Sequence, residues 1–355
     1  MADAKQLILE LRPPEYTDEE KEKITDYFIA TRKDFIQSFL ESKKLSRSGT
    51  KGDIRDRVIE AIDDGSLAYK DLVHFIDTYV MGSKQHVCLF DGPEAEVSSW
   101  RNKKHVEDAL ARNRVKKYLN ARLPLILPTR MSLSSVQYDE RSLKVFCVER
   151  RDFHERRAEL DEHRTSKSGR HVELRAFVHQ VMRGVILFYW DLMSNNATLH
   201  MTQLPSGTKY EDIEAEFFRL VGGWLNPGWF QKIDLRPVVK KLHELERSGH
   251  PETRSHAIKY MTVGGRSVMA QSATAHNSLL GEPQLDVALD NVKDVSIGHR
   301  GNFYWLPNTP GPQDGNPLNC EVHTYIEGSE GRINFSTPNR PEHIGYVLQR
   351  VRALS

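Results

Sequence analysis

The sequence predicts an α+β chain, with a small all-helical N-terminal domain and a larger C-terminal mixed domain of antiparallel hairpins and helices. Three observations carry this reading. Apolar residues recur at helical spacing through the first 80 positions. From Met131 onward, alternating and unbroken apolar runs replace that period, and twice a hairpin pattern is followed by a helix pattern. At 355 residues the chain is long enough for two or three domains, each with its own core.

Thr17-Asp-Glu-Glu20 has the form of a capping box and opens a helix running toward Ala30. Phe35, Ile36, Phe39 and Leu40 then repeat at helical spacing, the segment from Leu45 to Lys51 breaks the pattern, and Ile54, Val58, Ile59 and Ile62 restart it. Neither short helix can bury its stripe alone, so the two pack together. Asp63-Asp-Gly-Ser66 ends the second, and Leu67, Leu72, Val73, Phe75 and Ile76 mark a further amphipathic helix. The first domain spans residues 1–80.

Residues 85–90 read as a strand ended by Asp91-Gly-Pro93. Trp100, Val106, Leu110, Val115 and Leu119 follow at helical intervals until Pro124 and Pro128 stop them. This segment carries Arg101, Lys103, Lys104, Arg112, Arg114, Lys116, Lys117 and Arg122 against only Glu107 and Asp108. It is a basic helical connector at residues 81–130, whose charged face suits tracking of a DNA backbone as well as simple solvation.

The C-terminal domain, residues 131–355, begins with strands at 142–148 and 174–181, separated by a charged stretch from Glu149 to His171. Residues 184–190 show no alternation and read as a strand buried on both faces. A turn at Ser194-Asn195-Asn196 returns the chain along 197–202, and a helix follows from Tyr210 to Leu220. Residues 233–293 read as mostly helical, broken at Gly264-Gly265. The C-terminus repeats the order, with a hairpin of 320–326 and 332–335 and then a helix over 341–354. Arg183-Gly184 ahead of Phe188-Tyr-Trp190 is echoed by Arg300-Gly301 ahead of Phe303-Tyr-Trp305, so the domain reads as a candidate pseudo-duplication.

The segment 34–62 resembles the SAP family, DNA-binding modules built as helix, extended loop and helix. The resemblance rests on Phe39 and Leu40, Leu45, Ser48-Gly49-Thr50-Lys51, Ile54, Arg57 and Val58. It implies contacts to the backbone and grooves of duplex DNA, often with a preference for A·T-rich tracts. The loop chemistry agrees. Thr50 or Asp53 caps the second helix, whose first-turn amides form an anion site. Lys43, Lys44, Arg47 and Lys51 surround that point, with Arg55 one turn further on. Ser48, Gly49 and Thr50 let backbone amides approach a phosphate, and such contacts position a protein without reading sequence.

Net charge is +1, so any nucleic-acid surface must come from local segregation of charge. Cys88, Cys147 and Cys320 are far apart and suit neither a disulfide framework nor a zinc site. With no signal pattern at Met-Ala-Asp-Ala-Lys and no membrane-length apolar run, the expected protein is soluble and intracellular, in cytoplasm, nucleoid or nucleus.

No metal or cofactor is expected. His154, His163 and His171 lie in the charged stretch and read as solvated, while Asp286 and Asp290, with Lys293, sit at helical i, i+4 spacing rather than on adjacent strands. Phosphate-loop and Gly-x-Ser-x-Gly patterns are missing. His200-Met-Thr202 and His276-Asn-Ser278 are similar to the twin His-x-Thr/Ser motifs of the 2H phosphoesterases, which would make His200 and His276 an acid and base pair, although Gln203 departs from that pattern. Trp190 reads as core, and Trp224 and Trp229 are the better candidates for exposed stacking platforms.

The function expected is a non-enzymatic DNA-binding protein in genome maintenance, chromosome organisation or defence against foreign DNA. Its C-terminal domain would recognise a protein partner, nucleic acid or another copy of itself. The alternative is a phosphodiesterase or nuclease tethered by the SAP-like unit.

Overall fold

The structure is a computed structural model describing residues 16–124, 127–165, 168–205, 207–249, 252–307 and 315–355. It divides into two compact units between Gly82 and Ser83. The first fifteen residues, expected as the start of the first domain, lie outside the described residues.

The first unit is helical: α1 Asp18–Ala30, α2 Lys33–Ser42, α3 Lys51–Asp63 and α4 Tyr69–Val80. The capping box expected at Thr17 is present, and Thr50 and Asp53 form a second one at the start of α3. Phe28, Ile36, Leu40, Ile54, Val58 and Leu72 are fully buried. Phe28, Phe39 and Phe75 form an aromatic cluster with ring centroids 4.7–5.3 Å apart. Burying each such side chain contributes about 1.5–3 kcal/mol, which is what holds helices too short to stand alone.

The second unit is built on one large sheet. Its strands are β1 Gln85–Asp91, β2 Ser132–Asp139, β3 Ser142–Arg156, β4 Glu162–Thr165, β5 His171–Leu174, β6 Phe177–Asp191, β7 Asn196–Thr202, β8 Gln231–Lys232, β9 Thr253–Thr262, β10 Ser267–Gln271, β11 Ser296–Trp305, β12 Val322–Glu327 and β13 Arg332–Phe335. The sheet order is β10-β9-β11-β12-β13-β1-β7-β6-β3-β2, with β8 added beside β1. β4 and β5 pair with each other in a separate ribbon. The helices are α5 Val97–Trp100, α6 Lys103–Arg112, α7 Tyr210–Val221, α8 Arg236–Arg247, α9 Pro283–Asp294 and α10 Pro341–Leu354.

β1 is where two cores meet. Successive side chains of a strand point to opposite faces, and Cys88 and Phe90 enter one core while Val87 and Leu89 enter the other. The first core packs α5, α6 and α7 on one face of the β2-β3-β6-β7 half. The second packs α8, α9 and α10 on the opposite face of the β9-β11-β12-β13 half. Close approach by α8 requires glycine: a Cβ on Gly298 of β11 would lie 2.6 Å from the Arg236 carbonyl oxygen and 2.8 Å from the Val239 Cβ.

Three expectations change. Residues 81–130 are no connector, because β1 lies inside the sheet and Trp100, Val106 and Leu110 are fully or almost fully buried in the first core. Residues 233–293 are not mostly helical, because β9 and β10 form a hairpin that turns at Gly264-Gly265. Its alternation is disguised in sequence, since the inward positions include the polar Thr253 and Ser255, both buried. The strand expected at 142–148 does not end where the charged stretch begins. β3 and β6 each run for 15 residues and stay paired to Arg156 and Phe177, well past their neighbours in the sheet. Same-face ion pairs such as Arg150 with Asp152 (2.8 Å) and Arg151 with Glu149 (2.7 Å) line this ribbon.

Candidate nucleic-acid interface

In the first unit, the loop between α2 and α3 leaves α2 through a Schellman turn. The Leu45 amide donates to the Leu40 carbonyl at 2.8 Å and the Lys44 amide to that of Glu41 at 3.0 Å. Lys44 itself takes the left-handed conformation, with φ +59°, a position that glycine usually fills. Arg57 of α3 reaches back and donates to the Ser46 and Ser48 carbonyls at 2.7 and 3.1 Å, which fixes the loop backbone. Gly49, at φ +109°, completes the turn into α3. The segment from Ser46 to Gly52 is exposed throughout.

At the start of α3, Thr50 Oγ1 accepts from the Asp53 amide at 3.2 Å, and Asp53 accepts from the Thr50 amide at 2.7 Å. The Thr50 backbone bond, followed by its side-chain bond, holds the Asp53 carboxyl below its usual range. Asp53 is therefore part of the cap, and the outward amides of the first turn are those of Lys51 and Gly52.

The cations expected here divide into two groups. Lys44 is exposed and meets no carboxylate among the described residues, Arg47 is exposed and rests on Glu41 at 3.0 Å, and Lys43 is half-buried against Asp71 at 2.7 Å. Lys51 and Arg55 turn away from the loop. Lys51 Nζ donates to the carbonyls of Ile29 (2.7 Å) and Thr31 (3.0 Å), closing the end of α1. Arg55 pairs with Asp26 (2.9 Å) and Glu22 on α1. Both hold helix to helix, and nothing in the spacing distinguishes them from their neighbours. The structural role of Arg57 is equally hidden in sequence.

The second basic surface belongs to the other unit. Lys103 and Lys104 occupy the first turn of α6, where acids are the usual complement to the helix dipole. Arg114 ends that helix in a second Schellman turn, with φ +60° and the Val115 amide donating to Leu110 at 2.9 Å. Arg112 lies along Asp108, Lys116 pairs with Glu107 at 3.1 Å, and Lys117 stands 5.0 Å from the Tyr118 ring. All six are exposed. An open cleft of about 540 Å³ adjoins them, lined in part by Lys117, Tyr118, Arg122 and Leu133.

The other expected sites do not assemble. His200 lies in the sheet, almost fully buried, with Nδ1 at 2.8 Å from Gln85 Oε1 and Nε2 at 2.9 Å from Thr198 Oγ1. Burial pushes its pKa down to about 4. Both ring nitrogens are engaged, and no phosphodiester oxygen can reach them. His276 is exposed in the loop after β10, near β9, which is five strand positions from β7. At about 4.8 Å per position that is roughly 24 Å along the sheet, far beyond any shared substrate atom. His163 and His171 lie on the β4-β5 ribbon and His154 faces His179 across β3 and β6. Among the described residues, no three His, Cys, Asp or Glu side chains converge to hold a metal. Asp286 and Asp290 both bind Arg247, at 2.5 and 3.0 Å.

Trp190 is core, its indole N–H donating to Asn195 at 3.1 Å. Trp224 is core as well, and Trp229 packs half-buried against the same core with its ring centroid 6.3 Å from that of Trp100, so neither forms an open stacking platform. Among the described residues, no helix is long and apolar enough to cross a membrane.

The chain matches no protein-family model and no curated protein sequence.

Proposed function

We propose that the protein binds duplex DNA through the loop between α2 and α3, used in the manner of the SAP modules its sequence resembles. The observation that carries this reading is the segregation of charge in that loop. Lys43, Lys44, Arg47 and Lys51 fall within nine residues that contain no acid, the backbone there is exposed and pinned, Asp53 is committed to the helix cap, and Lys44 meets no carboxylate among the described residues while Arg47 and Lys43 rest on Glu41 and Asp71. A phosphate set against the Lys51 and Gly52 amides would meet the positive end of α3, with Lys44 and Arg47 placed to close on it.

The exposed cations of α6 and its C-terminal turn are a second set of backbone contacts on the other unit. Lys103 and Lys104, at the N-terminus of that helix, add to the dipole rather than cancelling it, an arrangement that costs stability and favours an anionic partner. Contacts of this kind bind DNA without reading bases, leaving any A·T preference to groove shape. A tether of this sort suits genome maintenance, chromosome organisation or defence against foreign DNA.

The test is binding of the intact chain to a labelled 20-base-pair duplex, mixed or A·T-rich, across a salt series, beside Lys44→Glu/Arg47→Glu. The expected result is a steep salt dependence that flattens by about 1.8 units of log K per log salt in the variant, from about 0.9 for each phosphate no longer neutralised. Equal slopes for the two proteins would place the DNA on another surface.

A further inference from the structure

The ribbon formed by the far halves of β3 and β6 has no third strand on either edge. β2 accompanies β3 only from Ser142 to Val148, and β7 accompanies β6 only from Ile186 to Asp191. Beyond those points the ladder joins only these two strands, with the Arg150 amide bonded to the Pro128 carbonyl at 2.6 Å on the β3 edge and the Val185 amide to Thr202 Oγ1 at 3.0 Å on the β6 edge. An isolated two-stranded ribbon is marginally stable in water, and an unpaired edge is a template for another strand. This one also exposes apolar side chains: Phe177 at 57% and Val181 at 51%.

The edge of β3 is complementary to itself. From Arg150 the sequence runs Arg-Arg-Asp-Phe-His-Glu-Arg, centred on Phe153. Laid antiparallel against a second copy about that phenylalanine, Asp152 meets His154 and Arg151 meets Glu155, each twice by symmetry. The like pair, Arg150 opposite Arg156, is already neutralised within each copy, by Asp152 at 2.8 Å and Asp161 at 2.5 Å. A shift of the centre to Asp152 sets that carboxylate against itself and Glu149 against Glu155. A shift to His154 sets Arg151 against Arg157. Arg151 and Glu155 also have partners within each copy, Glu149 at 2.7 Å and Arg157 at 3.0 Å, so across the seam they extend existing ion pairs, and charge favours the register centred on Phe153.

The backbone has the matching parity. The Arg150 amide points to the outer edge, where it donates to the Pro128 carbonyl at 2.6 Å, so by alternation the amides and carbonyls of Asp152, His154 and Arg156 also point outward. Those are the residues that must exchange hydrogen bonds when Phe153 lies on the two-fold axis. We infer that the β3 edge is a self-association surface, through which two copies of the chain join their ribbons into one continuous antiparallel sheet. The ribbon's dense mixture of both signs of charge, at Arg150, Arg151, Asp152, Glu155 and Arg156, fits a second copy better than a polyanion. The inference stands apart from the DNA-binding reading and does not need it.

The intact chain is expected to sediment as a dimer at micromolar concentration. Arg151→Glu and Glu155→Arg should each weaken the dimer about tenfold or more by setting like charges together, and the combined Arg151→Glu/Glu155→Arg chain should recover it. In a Cys320→Ser background, Phe153→Cys should oxidise to a covalent dimer, since a non-hydrogen-bonded pair brings the two Cα atoms to about 4.5 Å, within disulfide range. Arg151→Cys in the same background should not. A chain that stays monomeric at about a hundred times those concentrations overturns the inference. So does a dimer indifferent to the single reversals, or a ribbon whose amides are protected from exchange only when duplex DNA is added.

Discussion

Replacing Lys44 by glycine should stabilise the first unit while weakening its grip on DNA. Lys44 sits at φ +59° in the Schellman turn that ends α2. That conformation costs a residue with a Cβ about 1–2 kcal/mol relative to glycine. Glycine's greater freedom in the unfolded chain takes back about 0.4–1 kcal/mol. The net expected gain is about 0.5–1 kcal/mol, equivalent to amide exchange about two to five times slower in α2 and α3. Exchange followed by mass spectrometry on peptides covering residues 33–63 measures it locally, which matters because every tryptophan of the chain lies beyond residue 82. The same variant neutralises one phosphate fewer, so the salt slope of duplex binding should fall by about 0.9. Faster exchange would refute the account of the turn. An unchanged slope would refute Lys44 as a phosphate ligand, and with it the strongest part of the proposed interface.

Two further outcomes follow from side chains whose roles the structure reassigns. Lys51→Met removes the donor to the Ile29 and Thr31 carbonyls and should cost the first unit about 1 kcal/mol, read as faster exchange in α1, because a charged donor that closes a helix end is worth more than a neutral one but here remains partly hydrated. His200 is neutral when folded, with its pKa pushed to about 4 by burial, while the unfolded chain protonates near the ordinary histidine value of 6.5. Stability from this group is therefore complete above 6.5 and is lost as pH falls toward 4, by about 3 kcal/mol in all, with no further loss below. The difference in denaturant midpoint between the wild-type chain and His200→Gln, followed from pH 7.5 to 4, should shrink across that window. A difference that stays constant would mean that His200 does not titrate differently on folding.

The first unit was largely legible because its signals are local. Thr17 with Glu20, and the apolar spacing from Phe35 to Ile62, are decided within a few turns of chain, and helix formation and capping depend on neighbours at that range. The same holds for the C-terminal hairpin and the helix Pro341–Leu354. What was not legible depends on partners distant in sequence. Whether Thr253 and Ser255 face inward is set by α8, and whether residues 85–91 lie inside the sheet or between domains is set by β13, some 240 positions later. Residues 174–181 read as a strand, but the extension of β3 that pairs with them escaped notice because its order comes from cross-strand pairing of charged residues, which carries no hydrophobic period. In the candidate interface, the run of basic residues gave the loop but not its division of labour. Lys43, Lys44, Arg47, Lys51 and Arg55 are alike in sequence, and only the carbonyls of α1 and the carboxylates of Glu22 and Asp26 separate the last two from the rest.

The position of β1 bears on how this chain is made. β1 pairs with β13 through Gln85–Phe335 to Cys88–Arg332, so one side of the strand has its partner only after nearly the whole second unit has been synthesised. At about 5–20 residues per second, the roughly 240 residues between them take about 12–50 s to emerge. Throughout that interval a nascent chain holds Val87 and Leu89 without the core they will enter, beside an unsatisfied strand edge. Translation speed and holding chaperones should therefore govern the yield of this protein more than its final stability does, and a ribosome stalled anywhere before residue 332 would release a species built to aggregate.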